Sequence, residues 1–413
     1  MSTLLGGTRG ASVPRDRAVV FAAGFLRATG NGLIGVIAGI YLARLGFAPG
    51  AFGAVLAAGI AGTAVAAAWV TFWGDRFGRR RGLVALALAS AVGGAIIAVA
   101  SDLAVLAVAA FIGMMNSLGK DSAAAMALEQ AILPGTVDDA GRTRVFAWYN
   151  VTQDIGHGLG AALAAVPELL RAAGVAEDAA SLRVAVGLYA ALWVAAAVLY
   201  ARLTPAAEVR RAAGEAPPRV SPRSRRILWR LSALFALDSF AGGFLGTALF
   251  AYFFYAQFGV GEGTIAALFV GAWIMNALSH LGAAWLARRI GLVNTMVFTH
   301  TPSSLLLLTI PLTDSFALAA VLFLLREGLS EMDVPTRQSY LMAVVRPEER
   351  TFAGGVTNLA RMAARVAAPL LAGGAMQAVA LWTPLAAAAG MKIAYDWLLF
   401  VAFRKVKPPE EAR

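Results

Sequence analysis

The sequence has no cysteine, few histidines and little charge. Without cysteine, the chain has no disulfide bond and no thiolate that could act as a nucleophile or a metal ligand. Its three histidines, His157, His280 and His300, lie too far apart for the ligand spacing of a zinc site. Charged residues make up 14% of the 413 positions, whereas an average soluble domain has about 25%. These shortages argue against a soluble domain and against a metal site formed by neighbouring histidines.

Long apolar stretches dominate the chain instead. Hydrophobic residues make up 59% of the sequence, and windows of about 20 apolar residues, enough to cross a bilayer, recur along it. The pattern predicts an all-α integral membrane protein with twelve transmembrane helices. We place the predicted spans at 18–43, 51–73, 82–101, 103–131, 143–170, 181–203, 228–257, 262–286, 292–312, 314–344, 350–377 and 380–403. Residues 1–17 lack the apolar core of a secretory signal, so we expect no cleaved leader.

The predicted spans form two sets of six, separated by a polar segment. Residues 205–226, PAAEVRRAAGEAPPRVSPRSRR, contain no apolar run. We therefore predict a six-helix bundle at 1–203, a basic linker at 204–227 and a second six-helix bundle at 228–413. A shift of 208 residues aligns identical residues of the two halves: Gln130 with Gln338, Arg142 with Arg350, Thr143 with Thr351, and Asn150 with Asn358. Such a duplicated bundle is typical of transporters that bind their substrate between the two halves.

The basic residues indicate how the chain is oriented. The net charge is +11, and 25 of the 35 lysines and arginines fall in the termini, the loops and the adjoining span ends on one predicted side of the membrane. The loops and span ends on the other side carry three, Arg44, Arg171 and Arg183. Because basic loops stay on the cytoplasmic side, both termini are predicted to be cytoplasmic. The positive charge is thus a topological anchor in a lipid bilayer, and we expect no nucleic-acid partner.

A charged loop follows the second predicted span and carries a recognisable motif. Residues 74–83 read GDRFGRRRGL. This loop resembles the signature between the second and third helices of the major facilitator superfamily. The resemblance extends to the two six-helix halves, the long basic central loop and the cytoplasmic termini. It implies transport by alternating access, with spans 1, 4, 7 and 10 lining the cavity. It also implies a cytoplasmic latch formed by the motif residues Gly74, Asp75, Arg76, Gly78 and Arg79.

The subfamily is less well defined by the sequence. Drug–proton antiporters of the superfamily carry a Gly-Pro pair in span 5, but this chain reads QDIGHGLGAALAAVP there. The family's arginine in span 4 has no clear counterpart, since the nearest basic residue is Lys120. Both departures weaken an assignment to drug efflux without removing it.

The second half carries most of the charges predicted to lie deep in the bilayer. A charge at mid-depth costs about 2.5–3.5 kcal/mol, so such residues face a cavity or a partner. Glu327 and Glu331 lie one helical turn apart in span 10, as do Arg361 and Arg365 in span 11. We predict a ladder of these carboxylates against these guanidiniums, with Glu327 and Glu331 as proton-coupling candidates. Arg361, Arg365 and Asp238 are substrate-binding candidates.

A second charge pair follows in span 10. Asp333 and Arg337 lie four residues apart around Pro335, which frees a backbone carbonyl one turn earlier and can kink the helix. We interpret the pair either as part of the cytoplasmic gate or as a plain ion pair at a helix end. Arg326 is expected to point away from Glu327.

The first half offers fewer deep charges. Arg27 and Asn31 are substrate-binding candidates, and Arg27 has Asp121 or Asp154 as its predicted counter-ion. Asp121 and Asp154 are also proton-coupling candidates, and His157 titrates nearest to neutral pH.

Three features receive structural interpretations. Lys392 is given no role beyond packing against span 10 or reaching the membrane surface. His280 and His300 are interpreted as structural. The aromatic run Tyr252–Tyr255 is interpreted as an interfacial belt, with an outer gate as the alternative.

These features predict a secondary-active, proton-coupled transporter that exports a small organic solute. Proton-coupled uptake of an organic anion is the alternative, and a membrane sensor without transport is the alternative from another class. No GxxxxGK[ST] loop is present, so the proton gradient is the expected energy source and no cofactor is expected. We expect a monomeric, multi-pass protein of the cytoplasmic membrane and not an enzyme.

Overall fold

All the regular secondary structure in the described part of the chain is helical. The structure is a computed structural model, and it describes residues 6–119, 124–137, 142–208, 222–344 and 350–404. Two compact units divide the chain, one comprising Met1–Ala213 with Gly261–Ala267 and the other Gly214–Val260 with Leu268–Arg413. The all-α prediction is confirmed for the described residues. The candidate proton site Asp121 lies outside them.

The first unit contains eight helices. They are α1 (Gly6–Arg44), α2 (Pro49–Phe77), α3 (Arg79–Val99), α4 (Leu103–Ile112), α5 (Ala124–Ile132), α6 (Arg142–Leu163), α7 (Val166–Ala172) and α8 (Asp178–Tyr200). Short 3₁₀ turns follow α5 at Leu133–Thr136 and α8 at Pro205–Ala207. The side chain of Asp102 caps α4 by accepting from the backbone N–H of Val105 at 3.0 Å.

Nine further helices complete the described chain. They are α9 (Pro222–Phe244), α10 (Thr247–Phe258), α11 (Glu262–Ile290), α12 (Leu292–Thr309), α13 (Phe316–Ser330), α14 (Asp333–Val344), α15 (Arg350–Arg365), α16 (Ala368–Ala378) and α17 (Thr383–Phe403). The first residues of α11 group with the first unit, which the predicted boundaries did not include. A 3₁₀ turn at Ile310–Leu312 follows α12.

Eight helical stretches of the described chain are long and apolar enough to cross a membrane. One of them runs through α9 and α10 together. The four other predicted spans, 103–131, 143–170, 314–344 and 350–377, each contain two shorter helices. The count of twelve spans therefore stays a prediction.

In the first unit, α1 packs against α6 and α8, and small residues bring α1 and α6 close together. Gly156 lies against Ala28, and Gly160 lies against the backbone of Thr29 and Leu33, so that a side chain at either glycine would collide with α1. This close approach of two backbones is the packing that small residues one turn apart permit in membrane helices. It places the polar face of α6 beside Arg27.

In the second unit, α9 packs against α15 and α17, and α12 packs against α13, α14 and α17. An apolar core fills the space between these helices; it comprises Leu228, Leu231, Phe235, Val293, Met296, Tyr340, Leu341, Ala353, Tyr395, Leu399 and Phe403. The helices that carry Asp238, Arg361, Arg365 and Lys392 thus meet around one core.

The aromatic run of α10 is buried. Phe253 and Phe254 are 0% exposed, and the Phe254 ring contacts the rings of Phe316 and Phe323 on α13. The interpretation of this run as an interfacial belt is therefore wrong for Phe253 and Phe254, because a belt residue keeps one side toward lipid and water. The ring of Phe254 instead packs α10 against α13.

Candidate functional site

A buried ion pair stands at the centre of the first unit. Nη2 of Arg27 on α1 lies 2.6 Å from Oε2 of Glu129 on α5, and Glu129 is 0% exposed. Two phenols also donate to this carboxylate at 2.5 Å, Tyr149 of α6 to Oε2 and Tyr200 of α8 to Oε1. Nη2 of Arg27 lies 3.4 Å from Oε1 of Gln153, one turn beyond Tyr149. Both carboxylate oxygens of Glu129 thus have donors, as a buried charge requires.

Arg27 pairs with Glu129, a counter-ion that the sequence prediction of Asp121 or Asp154 did not include. Asp121 lies outside the described residues. Asp154 follows Gln153 on α6 and is partly exposed, because consecutive helical residues point about 100° apart. Sequence reasoning missed Glu129, which lies in the stretch MALEQ beside the repeat residue Gln130.

Asn31, one turn beyond Arg27 on α1, faces a small polar cavity within the first unit. The cavity has a volume of about 30 Å³, and its lining includes Arg27, Asn31, Thr63, Asn116 and Trp193. That volume has room for about one water molecule. Asn31 and Arg27 therefore line one small cavity, and their role in substrate binding stays a prediction.

A larger network of charges lies in the second unit. Asp238 of α9 accepts from Arg337 through Oδ2 and from Lys392 of α17 through Oδ1, both at 2.9 Å. Arg337 of α14 also pairs with Asp333, one turn earlier on the same helix, at 2.9 Å. All four side chains are buried. Both oxygens of the predicted substrate ligand Asp238 are thus used by cations of the chain itself.

The network continues from Lys392 to α12. Nζ of Lys392 lies 3.1 Å from Nε2 of His300, and Nδ1 of His300 lies 2.9 Å from Oδ1 of Asp396. Thr301 donates to the other oxygen of Asp396 at 3.1 Å. The prediction that Lys392 only packs or reaches the surface is wrong, because it connects Asp238 with His300. Asp396 was not considered as a site residue, although it follows Lys392 by one turn in YDW.

Glu327 does not take part in the predicted ladder. Its carboxylate contacts the guanidinium of Arg326, its neighbour in the chain, so the expectation that Arg326 points elsewhere is wrong. Glu331 lies where α13 ends, and α14 begins at Asp333. The interruption falls one turn before Pro335, where the sequence predicts a kink. The charge of Glu331 lies within electrostatic range of Arg365.

Two arginines of α15 form no ion pair with a described carboxylate. Nε of Arg361 donates to Oγ of Ser239 at 2.9 Å. Nε of Arg365, one turn later, is buried without a hydrogen-bond partner. Asp238 and Arg337 lie close enough to interact electrostatically with both arginines. The carboxylates within electrostatic range of the two arginines are Asp238 and Asp333, together with Glu331 for Arg365.

The two clusters occupy corresponding positions in the two halves. The shift of 208 residues places Glu129 on Arg337, Gln153 on Arg361 and His157 on Arg365. In the first unit a carboxylate on α5 pairs with an arginine on α1. In the second, an arginine on α14 pairs with a carboxylate on α9. Glu129 and Arg337 thus carry opposite charges at corresponding positions, whereas their partners Arg27 and Asp238 do not align in this register.

The motif loop between α2 and α3 is held by a residue that the sequence did not single out. Gly78 has φ of 100°, a conformation that favours glycine. Glu208 accepts from the backbone N–H groups of Arg79 at 2.8 Å and Arg80 at 3.0 Å, and thereby caps α3. The guanidinium of Arg79 donates to the carbonyl of Ala131 at 2.8 Å.

The other predicted gate residues are partly described. Gly74 is buried near the end of α2, against Leu128 of α5 and Val70. Asp75 and Arg76 belong to α2, and their side chains lie outside the described part of the chain. The gate role of these residues, and of Asp333 and Arg337, stays a prediction.

Within the described ranges, no group of three or more histidine and acidic side chains could hold a metal ion. The described part of the second unit thus combines buried carboxylates, a buried histidine and two arginines that form no ion pair with a described carboxylate.

Comparison with known proteins places this architecture in a family. Residues 20–369 match the sequence profile of the Major Facilitator Superfamily. The chain is 23% identical over 421 residues to an uncharacterized membrane protein of Saccharomyces cerevisiae, YJR124C, and the match covers 94% of both chains.

Two solved structures show the same fold. The nucleoside transporter NupG has a TM-score of 0.73 and 14% identity, over 95% of this chain and 100% of that one. The human organic anion transporter MFSD10 has a TM-score of 0.60 and 18% identity, over 94% of this chain and 99% of that one. The resemblance in the motif loop is thereby confirmed, and the chain belongs to the Major Facilitator Superfamily as a multi-pass membrane transporter, not an enzyme.

Proposed function

We propose that this transporter moves a small organic anion by alternating access, coupled to protons that travel in the same direction. The observation that carries the proposal is the pair Arg361 and Arg365, which has no carboxylate partner among the described residues. The favoured substrate class is therefore the second of the two predicted from sequence. Arg27, the other cation that pointed to an anion, is neutralised by Glu129 and no longer supports it.

Electrostatics supports an anionic ligand at α15. A cation held in low dielectric without a counter-ion is costly, and a bound carboxylate or phosphate would offset that cost. Guanidinium groups bind such anions through two parallel N–H donors, which gives orientation as well as affinity. Ser239 already holds Nε of Arg361, so the terminal nitrogens of its guanidinium remain for a ligand.

Proton coupling is supported by the titratable groups near these arginines. An anion that crosses together with a proton carries no net charge if it is a monoanion, which reduces the cost of exposing the site to either side. Glu327, Glu331 and Asp154 stay candidates for proton binding, although Glu327 already has Arg326 as its partner. We expect a monomer in the cytoplasmic membrane with both termini inside.

Export of an organic solute that is not an anion is the second candidate. It is favoured by the loop GDRFGRRRGL, which resembles the motif of bacterial efflux members. The structural neighbours include a nucleoside transporter and an organic anion transporter, so the fold accommodates either class.

Counterflow in proteoliposomes distinguishes the two candidates. Vesicles are loaded with unlabelled anions, cations or neutral metabolites, and uptake of the labelled solute is measured. We expect exchange of organic anions, with Arg361→Gln and Arg365→Gln each raising the KM at least tenfold, roughly the loss of one charge-assisted hydrogen bond. Arg288→Gln, an exposed arginine of α11, is the matched control and should leave the KM unchanged.

Three results would oppose the proposal. Exchange confined to cations or neutral solutes would favour the second candidate. An unchanged KM for anions in both arginine variants would remove α15 from the binding site. Ligand binding without any counterflow would support the sensor.

A further inference from the structure

We infer that the coupling proton binds at Nε2 of His300, where it takes the place of a hydrogen bond from Lys392. The inference rests on the proposed proton-coupled transport and names the group that carries the proton. It moves the proton site from the acidic residues of span 10 to the contact between α12 and α17.

The hydrogen bonds around His300 define its protonation state. Lys392 carries an ammonium group, which can only donate, so Nε2 of His300 must accept. Asp396 is a carboxylate that can only accept, so Nδ1 must carry the hydrogen. The geometry therefore corresponds to a neutral imidazole with its proton on Nδ1. The imidazole still has one basic position, the nitrogen that faces Lys392.

His300 and Asp396 are enclosed by helices that carry further charges. His300 is 2% exposed and Asp396 is 0% exposed. The elements packed against α12 are α13, α14 and α17, and α9 brings Asp238 into electrostatic range. The buried titratable and charged groups on these elements are Lys392, Tyr395 and Asp396 on α17, Asp238 on α9, Arg326 and Glu327 on α13, and Asp333, Arg337 and Tyr340 on α14; Arg225, Arg226 and Arg230 of α9 are exposed.

Most of these groups already have a partner of opposite charge. Arg326 is paired with Glu327, and Asp333 with Arg337. Asp396 is the carboxylate in direct contact with the imidazole, and it stabilises an imidazolium. Histidine is also the side chain whose ordinary titration falls in the physiological range.

Protonation at Nε2 changes the network in a defined way. A hydronium ion transfers its proton to the lone pair of Nε2: one O–H bond breaks, one N–H bond forms, a water molecule is left, and the hydrogen bond from Lys392 is lost. The resulting imidazolium stays paired with Asp396 and repels the ammonium of Lys392, which keeps its contact with Asp238.

The released lysine connects the proton to the proposed anion site. Asp238 binds Lys392, and the next residue, Ser239, holds Arg361. Each proton adds one positive charge to the network that contains Lys392 and Asp238, so anion binding becomes more favourable. By linkage, a bound anion equally favours protonation. This reciprocity is what transport of a proton and an anion in the same direction requires.

The first test separates exchange from proton-driven accumulation. His300→Gln should keep anion counterflow within about twofold of the wild-type rate but lose accumulation driven by a pH gradient, and its transport should no longer vary between pH 5.5 and 8. His280→Gln, a partly buried histidine of α11, is the matched control and should behave as wild type. Gradient-driven accumulation by His300→Gln at the wild-type level would overturn the inference.

Asp396 acts through His300 and is therefore a positioning residue. The pH midpoint of transport measures its effect. Asp396→Asn keeps an oxygen that accepts from Nδ1 but removes the charge that stabilises the imidazolium. The pH midpoint of transport should move to lower pH by roughly one unit. An unchanged midpoint would contradict the assignment.

A spectroscopic test does not depend on transport. The chain has three histidines, so ¹⁵N-histidine spectra of the detergent-solubilised protein can be assigned with single His→Gln variants. We expect His300 to show the tautomer protonated on Nδ1 at high pH and to become doubly protonated on acidification. A tautomer with the proton on Nε2, or no titration between pH 5 and 8, would overturn the inference. Absence of counterflow in the wild type would instead count against the proposed function.

Discussion

At the residue scale, Glu129 illustrates what a charge buried in a helix bundle requires. Its carboxylate has one cation and two phenols as donors, and these come from three different helices. The contacts connect α5 with α1, α6 and α8. Burial of such a pair contributes little net stability, whereas removal of one partner leaves an uncompensated charge.

We therefore expect Arg27→Gln to destabilise the protein by about 3–5 kcal/mol, because it leaves Glu129 buried without its cation. The double variant Arg27→Gln with Glu129→Gln should recover part of this loss, since two neutral amides can hydrogen-bond to each other and to the phenols. Unfolding in detergent micelles measures both variants, and Glu177→Gln, an exposed carboxylate before α8, controls for loss of a negative charge. A double variant less stable than Arg27→Gln alone would contradict the explanation.

Single residues also show the limit of sequence-based reasoning. A lone arginine in an apolar span reliably predicts a buried partner, and Arg27 has one. Which carboxylate it meets depends on the rotation of each helix about its axis. That rotation follows from side-chain packing, such as the contact of Gly160 with α1, and not from periodicity. The contact between Lys392 and His300 was not predicted for the same reason, because it joins residues 92 positions apart in sequence.

At the element scale, two glycines of α6 determine how closely α1 can approach. A Cβ at Gly156 would lie 2.8 Å from that of Ala28, and one at Gly160 would meet the backbone of Thr29. Backbone cannot move aside as the end of a flexible side chain can. The position of Gln153 beside Arg27 depends on this approach.

Gly160→Ala should consequently lower the stability of the protein by about 1–3 kcal/mol, the usual cost of adding a methyl group to a well-packed interior. Gly187→Ala on α8 is the matched control, because nothing lies within 4 Å of a Cβ there. It should be neutral or stabilise by up to about 1 kcal/mol through helix propensity. Equal melting temperatures for the two variants in detergent would show that the contact with α1 is unimportant.

Helix breaks are the part of the fold that apolar periodicity did not predict. The apolar windows correctly indicated helical residues, but spans 5 and 11 each divide into two helices. The second helix of each pair, α7 and α16, has a proline in its first turn, Pro167 and Pro369. Proline is preferred at that position and disrupts a continuing helix, so both breaks were readable from the sequence. Only Pro335 was used in this way.

At the scale of the whole molecule, duplication explains why the two halves carry related clusters. The repeat register identified four identical residue pairs but overlooked the positions that differ in charge, Glu129 against Arg337. Searching a repeat for opposite charges as well as identities would have found the site. The substrate class could not be predicted this way, because it depends on which cations lack a carboxylate partner.

The orientation of the chain is the remaining whole-molecule prediction, and the absence of cysteine makes it testable. Lysines and arginines divide 25 to three between the two predicted sides, a bias that should hold the basic side in the cytoplasm. Single cysteines at Val175 and Leu312 lie on the predicted outer side, and one at Ala206 lies on the inner side; all three positions are exposed. A membrane-impermeant maleimide should label Val175→Cys and Leu312→Cys in intact cells, and Ala206→Cys only after permeabilisation. Labelling of Ala206→Cys in intact cells with protection of the other two would invert the topology. The basic loops would then lie outside the cell, and protons would reach His300 from the opposite side of the protein under the same gradient.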